Sequence, residues 1–566
     1  METVSQERLK RPERLAIVCI IAAAFLIRFI GISFGLPDAF HADEPNVVNR
    51  AVAYGAGDLN PHYFKIPPFI SYLVFISYGI YYLIGRAVGY FSGTEDFAVL
   101  FFEDSTSFYL LARFLFGVLP GTFSVYLLYR VINKYFSQQQ ALLAAFFFAF
   151  SFLHVRDSHF IYLDIPLVTL IILSFFPILN VVTNKGTRKD YVIFGILAGL
   201  SAANKYNGSF VYLPFFAAHF LSKGINRSGI FDMNLLISFA LSGITFVTAV
   251  PFVLFDFPAF FKDLIAMKEF EGYIGFFHHI RYSTVSSLGI PLTVASISGL
   301  VLAFIRRRKT VIPILVFTLS YYVVLCYFGQ LHDRYVLPVL PFLLFFAADA
   351  LIELRKRFKY PAAVHALIAV MVLSPSLGKA IMTNQLLLRD DVRTLARQWV
   401  ELYIPTESRI AIDDPLFSPR LKTSLVQLEE KRREASGLLG GTQLKRLGLM
   451  ISIAQNDAGP RYQLYFLDDV NRSDFLFAKP RLRYNIQEIK EHKIDYVIIT
   501  KIKEGYREHF YNEVTKSGTL VKRFTPYRDP ARQWPISDFA LTGAPSLWSE
   551  FLARNRNGHI IEIYKI

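Results

Sequence analysis

The sequence predicts a polytopic α-helical membrane protein with about eleven spanning helices, followed by a C-terminal α/β soluble domain. Of its 566 residues, 53% are hydrophobic, with 55 Phe and 31 Tyr, and the mean hydropathy is +0.36. These values exceed those of an average soluble domain. Long apolar runs recur up to residue 382, and beyond about residue 385 the pattern becomes that of a soluble protein. We therefore expect a membrane domain over 1–384 and a soluble domain over 385–566.

The charge balance is basic, with a formal net charge of +15. In a polytopic protein this commonly reflects Lys and Arg held in cytoplasmic loops. No base-reading motif accompanies the charge, so no nucleic-acid partner is expected. The two cysteines, Cys19 and Cys326, lie inside apolar runs, and no disulfide framework is expected.

The first spanning helix is predicted from about Leu15 to Leu36, close to the roughly 20 residues that a bilayer requires. This run is too long for a signal peptide, and no small-residue cleavage site follows it. Four basic residues precede it, which are Arg8, Lys10, Arg11 and Arg14. They place the N-terminus in the cytoplasm and the following loop, 37–66, outside.

Eleven further apolar segments are candidates for helices in or on the membrane. They lie near 67–91, 108–132, 138–155, 160–182, 190–203, 209–222, 234–256, 286–305, 311–329, 335–354 and 361–382. If the basic clusters between them are cytoplasmic, the segments from 108 onward alternate correctly, and 67–91 begins and ends outside. We therefore predict an amphipathic or re-entrant helix on the outer leaflet at 67–91. An ordinary spanning helix there is the alternative.

Two of these segments, 190–203 and 209–222, are short for spans, and both of their outer flanks are basic. They fit either two thin helices or one broken hairpin. In both cases the connection at 204–208 faces outward. The resulting topology puts the C-terminal domain outside the cytoplasm, in a multi-pass protein of the plasma (inner) membrane.

The C-terminal segment alternates helical and strand patterns. Asp391 to Leu402 has the pattern of an amphipathic helix, and Ile486 to His492 that of a short helix. Strands are predicted at 409–412, 462–467, 496–500 and 560–566. The glycines at 437–441 lack the spacing and the Lys of a phosphate-binding loop, so an ordinary loop is predicted there.

Two adjacent carboxylates, Asp43 and Glu44, stand in the first external loop within His-Ala-Asp-Glu-Pro. The apolar spacing that follows predicts a short helix, which Asp43 can cap, with Glu44 in its first turn. Capping needs only one acid, and a capping Asp can keep one oxygen for a substrate. Asp43 is therefore a candidate for catalysis, and Glu44 for substrate binding.

Ionisable residues accumulate at the predicted outer face, in loops or at helix ends. They are Lys65, Arg113, Asp157, Asp164, Lys205, Asp256, Glu269, His278, His279, His332, Asp333 and Arg334. A single one of these could be an interfacial residue whose charged end reaches water. Because ionisable groups at membrane depth are costly, so many on one face indicate a polar cavity there.

Six motifs occur in an order that resembles a known family. They are His-Ala-Asp-Glu at 41–44, Phe-Lys-Ile-Pro-Pro at 64–68, Ala-Arg-Phe at 112–114, Ser-His-Phe-Ile-Tyr-Leu-Asp-Ile-Pro at 158–166, Ala-Asn-Lys-Tyr-Asn-Gly at 203–208 and Arg-Tyr-Val-Leu-Pro-Val-Leu-Pro at 334–341. Together they resemble the membrane glycosyltransferases of the GT-C fold, in the group of the protein O-mannosyltransferases and lipid A aminoarabinose transferases. The resemblance covers roughly residues 15–355.

The resemblance implies that a sugar is transferred from a polyprenyl-phosphate donor to an acceptor hydroxyl or similar nucleophile outside the membrane. By this analogy Asp43 is the general base of an inverting reaction, and Asp164 is the second acidic residue. Asp164 would orient the acceptor, pair with a cation or help to bind a metal; its structural alternative is a helix N-cap.

The departing phosphate needs cations. The resemblance implies Lys65 first for this role, with Lys205 and Arg334 as helpers. Arg113 and His278 complete the set of candidate substrate-binding residues.

No cofactor is certain from this analogy, and a dependence on a divalent metal stays open. Asp43, Asp164, Glu269 and the His278–His279 pair could supply oxygen and imidazole ligands to a divalent metal. The late external loop shows no inserted sugar-binding module, which departs from the protein mannosyltransferases and argues against a protein acceptor, whereas lipid-linked, glycan and polymer acceptors stay open. Membrane lipids are expected partners.

A transporter or flippase of a lipid-linked sugar is the alternative function. Such a protein would distribute its ionisable groups through the midplane and show inverted repeats. Here they gather at the outer face, and no repeat stands out. A non-catalytic scaffold would leave Asp43 and Asp164 without a joint purpose, so the sequence favours an enzyme.

Overall fold

The computed structural model describes residues 11–184, 186–266, 275–327, 332–435, 441–467, 481–536 and 547–566. The chain divides into two compact units. The first, here called the helical unit, comprises Met1–Ile32, Leu59–Ile76 and Leu111–Ile381. The second, the mixed unit, comprises Ser33–Asp58, Ser77–Leu110 and Met382–Ile566. The mixed unit thus contains most of the loop at 37–66, which is predicted to be external, in addition to the C-terminal domain.

Apolar helices make up most of the helical unit. Its helices are Arg11–Phe29, Leu119–Tyr135, Gln138–Ala149, Phe152–Asp157, Asp164–Asn184, Arg188–Asn204, Tyr212–Lys223, Arg227–Ile230, Met233–Ala249, Phe252–Phe255, Phe257–Ala266, Val285–Arg306, Ile312–Tyr327 and Leu340–Phe358. Short π-helical turns at Phe114–Val118 and His279–Thr284 and 3-10 turns at Tyr206–Val211 and Asp333–Val339 interrupt them. Three helices run on from one unit into the other in sequence, which are Phe69–Ala87, Thr106–Arg113 and Ala362–Leu387.

The protein is a multi-pass membrane protein. Among the described residues, seven helical stretches are long and apolar enough to cross a membrane, judged by length and composition alone. These are Phe69–Ala87, Thr106–Tyr135, Asp164–Thr183, Arg227–Ala249, His279–Arg306, Asp333–Phe358 and Ala362–Tyr403. The predicted number of about eleven crossings is not confirmed. Segment 67–91 does form a helix, and its path relative to the membrane stays a prediction.

Small residues let two long helices of the helical unit approach closely. Gly299 of helix Val285–Arg306 faces the backbone of helix Leu340–Phe358, where an added Cβ would overlap the carbonyl oxygen of Phe346. Close backbone approach at small residues is a common way for membrane helices to pack. The contact between these two helices therefore depends on the absence of a side chain at 299.

We expect Gly299→Ala to lower the melting temperature of the purified protein, because the new methyl group forces these helices apart at a cost of about 1–3 kcal/mol. Gly243→Ala, in helix Met233–Ala249, is the control, since no described atom lies within 4 Å of a Cβ added there. Equal melting temperatures for the two variants would contradict this account of the packing.

A six-stranded sheet forms the centre of the C-terminal domain. Its strands are β1 Arg409–Ile412, β2 Gln463–Leu467, β3 Arg481–Leu482, β4 Tyr496–Lys501, β5 Thr519–Phe524 and β6 Ile560–Lys565. The order across the sheet is β3-β2-β1-β4-β6-β5. The strands β1 to β4 pair in parallel, whereas β6 is antiparallel to both β4 and β5.

Helices cover both faces of this sheet, as the alternation of strand side chains shows. Ile410 and Ile412 pack with the apolar face of helix Val392–Tyr403. Ala411 points to the opposite face, where helix Glu508–Ser517 packs. Burial on both faces explains the continuous apolar runs of the parallel strands. The other described helices of the mixed unit are Glu44–Tyr54, Thr94–Glu103, Leu425–Ala435, Gly441–Asn456, Ile486–Glu491 and Trp548–Ala553.

The predicted α/β domain is confirmed, with four predicted strands and two predicted helices present to within two residues at each end. Two strands were not predicted. β3 has only 2 residues, and β5 is an edge strand whose first four residues are all exposed, so neither produces an apolar alternation. Of the predicted loop at 437–441, residues 437–440 lie outside the described part of the chain.

Asp413 follows β1 directly and is fully buried. Its Oδ1 accepts hydrogen bonds from the Tyr484 hydroxyl and from Arg507 Nη1, both at 2.8 Å. Its Oδ2 accepts from the Thr500 amide at 3.0 Å and the Tyr511 hydroxyl at 2.6 Å. This carboxylate therefore joins the ends of β1 and β4 to two loops and a helix.

A second buried polar cluster lies at the start of helix Val392–Tyr403. Arg393 donates to both carboxylate oxygens of Asp391, at 2.8 and 2.9 Å. His559 is 3% exposed. Burial, reinforced by the positive charges of Arg393 and Arg554, lowers the pKa of His559 to about 3. His559 is thus neutral in the folded domain at pH values where an exposed histidine is charged.

We expect acid to destabilise the protein partly through His559. Between about pH 6.5 and pH 3 the unfolded chain takes up a proton at this position and the folded chain does not, so stability falls as the pH falls, by up to about 1.4 kcal/mol per pH unit. His559→Gln should therefore show a smaller drop in melting temperature from pH 7 to pH 5 than the wild type. His509→Gln, whose side chain is 90% exposed, is the control. An unchanged drop in the His559 variant would rule out this contribution.

Candidate functional site

Three of the predicted site residues meet in the helical unit, each supplied by a different element. Asp164 is the first residue of helix Asp164–Asn184. Lys205 follows directly on helix Arg188–Asn204 in extended conformation. Arg334 lies in the 3-10 turn Asp333–Val339. A carboxylate at a helix start interacts favourably with the helix dipole, which suits the position of Asp164.

The cluster is organised around the Asp164 carboxylate. Lys205 Nζ donates to Asp164 Oδ1 at 2.6 Å. Arg334 Nε lies 3.9 Å from Asp164 Oδ2, and the two side chains are only 8% and 4% exposed. Asp164 Oδ2 accepts no hydrogen bond within the described part of the chain. One buried carboxylate thus serves two cations, and one of its oxygens is still available to a further donor.

Tyrosine rings surround the two cations. Lys205 Nζ lies 4.7 Å from the centre of the Tyr335 ring, and Arg334 Cζ lies 4.9 Å from that of Tyr162. Such cation–π contacts stabilise a cation more strongly where water is excluded. The rings therefore help to retain positive charge at a partly desolvated site.

The connection at 204–208 is fixed by its asparagines. Asn204 Nδ2 donates to the Leu163 carbonyl at 2.9 Å, and Asn207 Nδ2 donates to the Tyr321 hydroxyl at 2.6 Å. Because Leu163 precedes Asp164, the first bond ties the two ends of the Lys205–Asp164 pair together through the backbone. Segments 190–203 and 209–222 form two separate helices on either side of this connection.

Lys65 belongs to a loop that lies against the same connection. The Tyr206 hydroxyl donates to the Phe64 carbonyl at 2.7 Å, and the buried Phe64 ring packs with Ala203. Asn60 Nδ2 donates to Asp256 Oδ2 at 2.8 Å and anchors the loop farther upstream. The Lys65 side chain is exposed. Phe64, which directly precedes Lys65, therefore contacts Ala203 and Tyr206, the residues two before and one after Lys205.

A second charge cluster includes a residue that the sequence did not single out, Arg156. This buried guanidinium donates to Asp333 through Nη1 and Nη2, at 2.8 and 3.0 Å, and to Asp157 Oδ2 through Nη2 at 2.9 Å. Burial raises the pKa of Asp157 to about 6; Arg156 opposes the rise and Asp333 adds to it. Since Arg334 follows Asp333 in the chain, Arg156 also holds the turn that carries Arg334.

Arg113 and His278 have their described contacts with other parts of the helical unit. Arg113 Nη1 donates to the Ile32 carbonyl at 2.6 Å. The His278 ring lies 5.0 Å from that of Tyr282. No described hydrogen bond or ion pair joins either side chain to Asp164, so their assignment to substrate binding stays a prediction.

The metal question stays open as well. No group of three or more His, Cys, Asp or Glu within the described ranges is arranged to hold a metal ion. Glu269, one of the predicted ligands, lies outside those ranges.

Asp43 belongs to the mixed unit, directly before helix Glu44–Tyr54. The predicted helix is present, but the predicted cap is not, since the Asp43 side chain makes no capping hydrogen bond. The reason is its backbone, which has φ −98° and ψ −19° rather than the extended conformation of a capping residue. Glu44 is fully buried in the first turn. The Asp43 carboxylate is thus not engaged by the helix end.

Comparisons with known proteins support the resemblance seen in the motifs. A family model described as dolichyl-phosphate-mannose-protein mannosyltransferase matches residues 97–255. A search of curated proteins finds no match.

Several solved structures are similar to this chain. ArnT from Cupriavidus metallidurans bound to undecaprenyl phosphate has a TM-score of 0.52 at 12% identity, with 90% of this chain and 96% of that chain covered. Its apo state has a TM-score of 0.51 at the same identity and coverage. The Archaeoglobus fulgidus oligosaccharyltransferase tethered with an acceptor peptide has a TM-score of 0.45 at 12% identity, covering 85% of this chain and 69% of that chain.

The similarity to the two ArnT structures covers 90% of this chain, and the family match over residues 97–255 includes the motifs of Asp164 and Lys205. The predicted resemblance is therefore confirmed, and this chain has the fold of the GT-C membrane glycosyltransferases.

Proposed function

We propose that this protein is an inverting membrane glycosyltransferase that moves a sugar from a polyprenyl-phosphate donor to an acceptor nucleophile outside the membrane. The observation that carries the proposal is the Asp164–Lys205–Arg334 cluster, in which two cations from different elements are held around one buried carboxylate. The fold supports it, because the similar ArnT structure contains undecaprenyl phosphate. The sugar and the acceptor, whether lipid, glycan or protein, are not specified by these residues.

The cations of the cluster suit a departing phosphate. When the bond between the anomeric carbon and the phosphate oxygen breaks, negative charge grows on the lipid phosphate, and preorganised cations lower the energy of that state. An ammonium group has three hydrogens, so the bond from Lys205 to Asp164 leaves two for phosphate oxygens. In this proposal Lys205 and Arg334 bind the phosphate together with Lys65, and Asp164 holds the first two in place.

Asp43 is the proposed general base. As the acceptor oxygen bonds to the anomeric carbon, its proton passes to the Asp43 carboxylate, while the electron pair of the breaking bond leaves with the phosphate. A general base must direct a lone pair to the proton that it removes. Glu44 would contribute to the same region from the first turn.

The sidedness of the reaction is part of the proposal. A cytoplasmic N-terminus in the plasma (inner) membrane and an external C-terminal domain put Asp43, Lys65, Asp164 and Lys205 on one side. We also propose that the chain divides near residue 384 into a membrane domain and an external soluble domain.

Asp43→Asn is expected to lower transfer by about 10²- to 10⁴-fold while donor binding is retained, because the amide cannot accept the proton. The assay incubates purified protein in liposomes with a panel of labelled polyprenyl-phosphate sugars and identifies the product that depends on Asp43. Asp58→Asn, in the same loop and exposed, is the control. Wild-type transfer by the Asp43 variant would overturn the assignment of the base. Movement of labelled lipid across the bilayer without transfer would favour the flippase.

Lys205→Met is expected to reduce kcat by about 10²- to 10³-fold and to weaken binding of polyprenyl phosphate, because the leaving group loses its stabilising charge. Lys223→Met is a matched control, since Lys223 also pairs with an aspartate, Asp232, at 3.7 Å near a helix end. Lys205→Arg should recover part of the activity. Undiminished kcat in the Met variant would remove Lys205 from the phosphate site.

A further inference from the structure

We infer that the C-terminal domain acts as the positioning element for the loop that carries Asp43, through three arginines, Arg393, Arg397 and Arg420. The inference rests on the proposed function, in which Asp43 is the base. All the residues concerned belong to the mixed unit. The three side chains are here called the arginine clamp.

The arginine clamp contacts three consecutive residues just before His41. Arg397 Nε forms an ion pair with Asp38 Oδ2 at 3.3 Å. Arg420 Nη2 donates to the Ala39 carbonyl at 3.4 Å. Arg393 Nη1 donates to the Phe40 carbonyl at 3.4 Å, and its guanidinium lies 4.0 Å from the centre of the Phe40 ring. Each hydrogen bond is long, but together they fix successive residues on one short segment.

This segment has a backbone that needs external support. Ala39 has φ +51°, in the left-handed region that residues with a Cβ rarely adopt. Such a conformation persists only where the surrounding structure enforces it. Ala39 and Phe40 are 1% and 6% exposed, so the strained residue is covered as well as contacted.

The constraint continues from the clamped segment to Asp43. His41, which is 2% exposed, follows Phe40. Its Nδ1 accepts a hydrogen bond from the Asp43 backbone amide at 3.3 Å. The position of the proposed base is therefore coupled to the clamped residues through one buried side chain as well as through the backbone.

The clamp itself is built on a rigid base. Arg393 and Arg397 stand one helical turn apart on helix Val392–Tyr403, so they project from the same face. Asp391 holds the Arg393 guanidinium through two hydrogen bonds. The adjacent face of the helix packs into the sheet core through Val392, Ala396 and Val400. The sheet thus supports the helix, and the helix supports the loop.

Desolvation strengthens the ion pair at Asp38. Burial raises the pKa of the Asp38 carboxyl, while Arg397 and Arg420 lower it. Charges removed from water interact more strongly with each other than exposed ones do.

The test is a charge swap between Asp38 and Arg397. Asp38→Arg and Arg397→Asp, made singly, should each lower kcat by about 10- to 100-fold with little change in the donor KM, because the proposed base is displaced while the phosphate site is intact. Combined in one protein, they should recover most of kcat. Hydrogen–deuterium exchange of the peptide covering residues 36–44 should rise in each single variant and return toward wild type in the pair.

The matched control is the pair Arg483 and Glu488, at 3.9 Å in the same domain, whose side chains are 83% and 28% exposed. Its single and paired swaps should leave both readouts unchanged. Arg420→Ala gives an independent variant, since this side chain is exposed and its loss removes one contact to Ala39. It should raise exchange at 36–44 and lower kcat without lowering the melting temperature.

Wild-type exchange and kcat in the single clamp variants would overturn the inference. A fall in kcat that the paired swap does not recover, with exchange unchanged, would overturn it as well. Failure of the proposed function looks different. In that case Asp43→Asn keeps full transfer, while the clamp variants still raise exchange at 36–44 and the paired swap still reverses it.

Discussion

The pairing of buried charge around Asp164 is the constraint on which the candidate site depends. The Asp164 carboxylate is 4% exposed, a buried charge is costly unless it is paired, and its two cations come from elements far apart in sequence. Because each charge needs the others, the start of one helix, the end of another and a 3-10 turn are fixed relative to each other. The pairing thereby concentrates positive charge in one place, which is also what a phosphate-binding site requires.

The neighbouring cluster extends the same logic. Arg156 pairs with both Asp157 and Asp333, and Asp333 precedes Arg334, so the two clusters share one turn of the chain. Taken together they contain three carboxylates, of Asp157, Asp164 and Asp333, and three cations, of Arg156, Lys205 and Arg334. The balance is neutral before any ligand arrives. A bound phosphate would therefore make the site negative. The exposed Lys65, whose loop contacts the residue after Lys205, could compensate this charge.

Much of this arrangement could be predicted from the sequence, because apolar runs mark helix ends and the ends carry Asp164, Lys205 and Arg334. The strand pattern of the C-terminal domain was equally clear where both sheet faces are buried, as in β4. Long-range partners could not be predicted. Arg156 could not be singled out, because its partner Asp333 lies 177 positions away in the sequence. The same holds for Phe40 and Arg393, 353 positions apart. The missing cap at Asp43 depends on backbone angles, which no residue pattern specified.

The order of the strands has a consequence for what the C-terminal domain offers to small molecules. β1 lies between β2 and β4. The chain connections on the two sides of such a strand lead in opposite directions, and open α/β sheets commonly bind ligands there, beyond the strand ends. In this domain Asp413 occupies that place, and its two oxygens already accept four hydrogen bonds. A ligand entering there would have to replace all four before gaining contacts of its own. The position at which such sheets commonly bind a ligand is thus occupied here by hydrogen bonds within the domain.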